Sequence, residues 1–208
     1  EIGIRFAAGM GKRYSEMNLI ICHIGGGISV TAHRRGKMID SNDIANGDGP
    51  MAPTRCGQLP VKDVISMCFS GKYTEKEMRD KTTKTGGLVD HLGTSDAREV
   101  GKMIQEGNQY AKLVYDSMLY EIGKTAGSMA AVLKGKVDAI ILTGGISHDK
   151  YVVDYLTDML SFIAPVAVRA GEFEMEALAA GALRVLREEE EEEAKTYTGI
   201  PVWTGFSF

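Results

Sequence analysis

Apolar and polar positions repeat with two different periods along this 208-residue chain, and each change of period marks an element. Runs at 18–24 (NLIICHI), 28–33 and 37–41 have the length and β-branched content of strands. Arg34-Arg35-Gly36-Lys37 is a hairpin-turn signal, so the three runs read as an antiparallel meander whose first strand is buried. Two more apolar runs, 137–142 (VDAIIL) and 165–169, read as further strands.

Helical spacing separates these runs. Ile2, Phe6 and Met10 recur every four positions across residues 2–14, although Gly3, Gly9 and Gly11 weaken that helix. Pro60 suits the start of a helix over 61–69, and Thr74 with Glu77 forms a capping box for one ending near 81. Ser95 or Asp96 caps a helix to 106, and Asn108 opens the longest one, over 109–133. Leu113, Met118, Ile122, Met129 and Val132 are its apolar positions; Gly123, Ala126, Gly127 and Ala130 make a face for close packing. Helices at 150–160, with Tyr151, Tyr155, Leu156 and Met159 on the buried side, and at 173–186 complete the pattern.

Between the meander and residue 61 lies a long stretch rich in Asn, Asp, Gly and Pro, 42–60 (NDIANGDGPMAPTRCGQLP). A loop of that length inside a compact domain marks a functional loop or a lid. Residues 85–93 read as a second glycine loop. Six glutamates at 188–193 read as a solvated helix end or tail, and 197–208, with Trp203, Phe206 and Phe208, as a segment that docks on a surface.

Composition removes several classes of function. A hydrophobic fraction of 44% suits a globular core, and a net charge of −4 with scattered basic residues gives no footprint for nucleic acid. Cys22, Cys56 and Cys68 have neither disulfide nor zinc spacing and fit a reducing, cytoplasmic setting. No apolar run reaches the ~18 residues of a membrane span, and these residues carry no signal-peptide pattern, so neither feature is expected. The chain opens mid-pattern without Met, so it is expected to begin inside a longer protein.

The chemical signals sit where strands end in glycines. HIGGGIS follows the first strand, and consecutive glycines let the backbone close on an anion and aim N–H groups at it. The plainer reading is a glycine turn between strands with His23 hydrogen-bonded in the core; neither a GxGxxG nor a GxxxxGK[ST] spacing is present. A second strand also ends in glycines, at LTGGIS (142–147). Two such turns suit a nucleotide held from both sides. Arg55, in Thr54-Arg55-Cys56-Gly57 of the long loop, carries a fork of donors that suits a transferring phosphoryl group.

CHIGGGIS (22–29), TRCG (54–57), SDAREV (95–100), ILTGGIS (141–147) and EMEALAAGAL (174–183) follow one another in a recognisable order. With these motifs the chain resembles the acetate kinase family of carboxylate kinases, and within it the butyrate kinases, over essentially its whole length. That family belongs to the actin, sugar-kinase and heat-shock-ATPase superfamily. The resemblance implies an α/β fold: an actin-like ATPase (ribonuclease H-like) lobe with a five-stranded mixed sheet and helices on both faces. Residues 18–187 would be the C-terminal nucleotide-binding lobe. Residues 1–17 would continue a helix from a preceding N-terminal lobe, and 188–208 would form an acidic stretch and an aromatic end.

The resemblance also implies ATP or ADP with Mg²⁺, reversible phosphorylation of a short-chain carboxylate (butyrate or a branched-chain fatty acid), and a homo-oligomer. His23, Gly25, Gly26 and Gly27 would lie near the β- and γ-phosphates. Arg55 would stabilise the transferring group. Asp96 and Arg98 would lie around the adenosine, with Ala97 where acetate kinases commonly carry an apolar or aromatic residue. Gly144, Gly145 and Ile146 would form the adenosine motif, and Glu176 would serve the metal, with Glu174 as the alternative. His33, His91 and His148 read as ordinary polar residues.

A carboxylate is already ionised at neutral pH, so such a site needs donors and backbone amides rather than a strong base. The family's first phosphate motif, acyl pocket, catalytic aspartate and additional histidine do not occur in these residues. The chain alone is therefore expected to lack kinase activity. The alternative reading is a non-catalytic nucleotide-binding or assembly module of the same superfamily, which would keep both glycine turns without needing Arg55. A sugar kinase would call for an aspartate base, for which the sequence offers no candidate.

Overall fold

Alternation along β1 (Asn18–Ile24) creates two cores. Ile20, Cys22 and Ile24 enter one, while Leu19 and Ile21 enter the other, as side chains of successive strand residues must. The computed structural model describes residues 1–187, which divide into Ile2–Glu172 and a second unit of Glu1 with residues from Phe173 onward.

In the larger unit, β2 (Ile28–Arg34) pairs antiparallel with β1, and β3 (Lys37–Ser41) antiparallel with β2. On its other edge β1 pairs parallel with β4 (Ala139–Gly144), which pairs parallel with β5 (Val166–Ala170). The order β3-β2-β1-β4-β5 is the mixed five-stranded sheet expected from the sequence.

The helices of this unit are α1 (Ile2–Gly9), α2 (Val61–Cys68), α3 (Glu75–Thr83), α4 (Leu88–Leu92), α5 (Ala97–Gln105), α6 (Gln109–Val132) and α7 (Lys150–Leu160). Tyr115, Met118, Leu119 and Ile122 of α6, with Val152, Leu156 and Leu160 of α7, cover one face of the sheet. Phe6 and Ala7 of α1 cover the other, so helices do lie on both faces. Each large apolar side chain buried this way contributes roughly 1.5–3 kcal/mol by leaving water. No helix among the described residues is long and apolar enough to cross a membrane.

Several local readings need correction. The first helix stops at Gly9, because Gly11 takes a left-handed φ of +67° and the chain then turns; Met10 is exposed. On α6 the buried stripe passes through Ala111, Val114, Met118, Ile122 and Met129, so Leu113 points away from it and is 62% exposed. Val132, at the end of the same helix, is also exposed. Gly123 does bring α6 and α7 together, since a methyl there would fall 2.2 Å from Met159 Sδ, but Gly127 faces open space. On α7 the fully buried side chains are Val152, Leu156 and Leu160, while Tyr151, Tyr155 and Met159 are half-buried. The loop read at 85–93 contains α4.

In the second unit, α8 (Glu174–Leu186) carries Glu174 and Glu176 in its first turn. Arg184 of that helix donates to Glu1 Oε2 at 2.6 Å. The glutamate run and the aromatic segment fall outside the described residues.

Candidate functional site

Because β1 and β4 are parallel, with His23 in register with Thr143, both strands deliver their carboxyl ends to the same edge of the sheet. Open α/β sheets bind ligands at such an edge. The two glycine turns, 120 residues apart in sequence, therefore become neighbours. The first is tight: the Gly25 N–H donates to the Gly27 carbonyl at 3.1 Å. At the second, Gly144 has φ +91°, and a methyl on it would stand 2.4 Å from the Ile24 carbonyl oxygen. Only glycine fits there. Ser147 then ties the following turn back to its strand by donating to the Thr143 carbonyl at 2.8 Å.

A cavity of about 940 Å³ opens at this edge, within the size range of small-molecule sites. Gly25 and Gly26 line it from one strand end, Gly145 and Ile146 from the other, and Asp96 and Arg98 from the start of α5. Asp96 is the N-cap of α5, accepting the Arg98 N–H at 2.9 Å, and its carboxylate also takes a fork from the Arg98 side chain, with Nη2 at 2.6 Å. Those side-chain bonds from Arg98, with its backbone N–H, hold the Asp96 carboxyl down to about 2. The cap and the cavity wall are thus one residue.

Arg55 reaches the first glycine turn from the long loop. Ala52 and Arg55 are joined through both backbone groups, Ala52 N–H to Arg55 O at 3.1 Å and Arg55 N–H to Ala52 O at 3.3 Å. Pro53 and Thr54 form the bend, with proline where its fixed φ suits a turn. The Thr54 hydroxyl donates to the Gly26 carbonyl at 3.4 Å, and the guanidinium lies against Gly27, whose added methyl would come within 1.7 Å of Nη1. Arg55 Nε is buried and has no hydrogen-bond partner among the described residues. The His23 imidazole stands beside Gly25, with Nε2 3.2 Å from where a methyl on that glycine would sit.

The structure thus gathers Gly25, Gly26, Asp96, Arg98, Gly145 and Ile146 around one cavity and sets His23, Gly27, Arg55 and Gly144 against its glycine turns. Glu176 and Glu174 belong to the other unit. Among the described residues no three His, Cys, Asp or Glu side chains converge as a metal site.

Lys102, Tyr115, Asp149 and Glu172 also line the cavity and carry no sequence assignment, and with them stand His148, which the sequence reads as an ordinary polar residue, and Tyr151, which it puts on the buried side of its helix. Asp149 caps α7 through the Tyr151 N–H at 2.9 Å and accepts from the Tyr115 hydroxyl at 3.2 Å. Burial pushes the Tyr115 phenol well above its ordinary range, and its ring stacks on Tyr151 with centroids 6.2 Å apart. The available signal was Asp149's place as a helix cap directly after the GGISH turn.

The description that matches the sequence is the acetokinase family, over residues 2–167. The chain is 52% identical over 186 residues to probable butyrate kinase 2 of Caldanaerobacter subterraneus subsp. tengcongensis, covering 89% of this chain and 52% of that protein. It spans about half the length of the curated relatives it matches. The crystal structure of Porphyromonas gingivalis acetate kinase superposes with a TM-score of 0.81 at 23% identity, covering 89% of this chain and 53% of the other. The ROK hexokinase of Thermus thermophilus gives 0.52 at 15% identity, covering 90% and 65%. These two are likenesses of fold, and they agree with the α/β actin-like ATPase architecture expected from the motifs. With a family match across most of its length, the chain belongs to the acetokinase family.

Proposed function

We propose that this chain supplies the nucleotide-binding half of a carboxylate kinase, which transfers the γ-phosphoryl group of ATP to a short-chain carboxylate, butyrate or a branched-chain fatty acid. The products are ADP and an acyl phosphate, and the reaction runs in both directions. The observation that carries this reading is one cavity lined by both glycine turns and the Asp96–Arg98 pair, with the Arg55 guanidinium set against Gly27 of the first turn.

In this reading the adenosine lies between Asp96–Arg98 and Gly144, Gly145 and Ile146. The phosphates meet Gly25, Gly26, Gly27 and His23. Arg55, with an unpartnered Nε, faces the group in transfer. Phosphoryl transfer to an ionised carboxylate needs alignment and charge neutralisation more than proton abstraction, and a guanidinium supplies both. Mg²⁺ bound with the nucleotide would neutralise phosphate charge. Such an ion keeps several waters and needs only one or two carboxylates beside the phosphates, so it does not call for a three-residue metal cluster, which the described residues do not form.

The acyl pocket and the opposite wall of the cleft would come from an N-terminal lobe outside these 208 residues, and the native protein would be a cytoplasmic homo-oligomer. The chain by itself would then turn nothing over. Hydroxylamine trapping of acyl phosphate, with native protein, ATP, Mg²⁺ and butyrate or a branched-chain acid, tests the reading. Trapped hydroxamate supports it; none with any short-chain acid would remove it.

A further inference from the structure

The turn that carries Arg55 is held from behind by a carboxylate that belongs to none of the family motifs. Glu121 lies on α6, seventy residues from Met51, and its Oε2 accepts the Met51 backbone N–H at 2.6 Å. Gly57 closes on the same point: at φ +73°, a methyl on it would fall 2.5 Å from the Met51 nitrogen and 2.7 Å from Glu121 Oε2. Both ends of segment 51–57 therefore meet at one side chain.

Within that neck the remaining contacts lead to the glycine turn. Ala52 and Arg55 are paired, Thr54 reaches Gly26, and the guanidinium rests on Gly27. From the side, the Gly86 N–H donates to the Thr54 carbonyl at 3.2 Å and the Val89 N–H to the Pro53 carbonyl at 3.0 Å. Glu121 itself is fixed to the sheet, because its neighbours Met118, Leu119 and Ile122 are fully buried against it. A hydrogen bond from a backbone N–H to a half-buried carboxylate is among the stronger ones available to a loop.

We infer that Glu121 is a positioning residue, setting where the Arg55 guanidinium stands over Gly27 without touching a reacting atom. The inference rests on the role proposed above for Arg55. Gln at this position keeps an acceptor oxygen for Met51; Ala does not.

The test uses the full-length native protein with E121A and E121Q, each with and without R55A. E121A should lower kcat by about tenfold or more, as small misplacements of a catalytic group do, with the ATP Kd within about threefold. E121Q should restore most of that rate, and E121A should cost nothing further once Arg55 is alanine. Multiplying effects of E121A and R55A, or E121Q as slow as E121A, would overturn the inference. Gly57→Ala wedges the same neck and should give the same pattern where E121A does not fold. An R55A protein with unchanged kcat would instead remove the function proposed above. Amide exchange then decides for Glu121: E121A should deprotect Met51 and E121Q should not, and unchanged protection in E121A would overturn it.

Discussion

The guanidinium of Arg55 occupies the space in which any side chain at position 27 would have to stand, with Nη1 1.7 Å from the site of a Gly27 methyl. Position 27 is glycine for a reason unconnected with its own backbone angles: the third glycine of the triplet is the floor on which the arginine rests. Gly27→Ala should therefore behave like an arginine mutation. We expect kcat for phosphoryl transfer to fall about 10- to 100-fold by displacement of the guanidinium. The double variant Gly27→Ala, Arg55→Ala should be no slower than Arg55→Ala alone. Steady-state kinetics of the four proteins check this.

Gly144 makes the opposite case, in which backbone geometry decides. Its φ of +91° and the Ile24 carbonyl 2.4 Å from a methyl position leave no room for alanine. Gly144 pairs that φ with a ψ of 168°, a region almost closed to other residues, so alanine there costs about 1–3 kcal/mol, and the displaced strand end adds to it. Gly144→Ala should lower the melting temperature by about 5–10 °C, measured by circular dichroism. A shift below about 2 °C would mean that the turn relaxes freely.

His33 gives the larger unit a pH dependence unrelated to the cavity. It lies between the Tyr14 hydroxyl and Thr31 Oγ1, the latter 2.7 Å from Nε2, and burial pushes it down to about 4. In the unfolded chain it titrates near ~6.5. As pH falls the unfolded state takes the proton first, so this contribution is complete above the unfolded value and drains away as pH drops through the folded one. Thermal melts of wild type and His33→Gln between neutral pH and pH 4 should converge on the acid side. A wild-type-minus-variant difference that does not shrink there would refute the assignment.

Much of the fold could be read from periodicity because burial and periodicity have the same origin. All five strands, α7 and the Asn108-capped α6 lie within two residues of where their apolar patterns put them. The glycine triplet and Asp96 were legible as local chemistry, one as a turn and the other as a cap. What could not be read was contact between distant segments. Nothing near Glu121 or Gly57 signals that they meet across 64 positions at Met51, and Leu113 has the hydrophobicity of a core residue but the wrong side of its helix. The short helix α4 was hidden because its starting Gly87, at φ +61°, looks like a plain loop glycine. That residue is packed 1.8 Å (methyl position) from the Ala52 carbonyl, so the second glycine loop is a brace for the turn that carries Arg55.

Paired measurement of ATP affinity and of acyl-phosphate formation by Arg55→Ala in the full-length protein is the sharpest test of the central claim. We expect kcat to fall by about 10³-fold or more while the ATP Kd changes by less than about threefold, as for a group that acts on the transferring phosphoryl. An unaltered kcat would contradict it and leave the chain as a nucleotide-binding module.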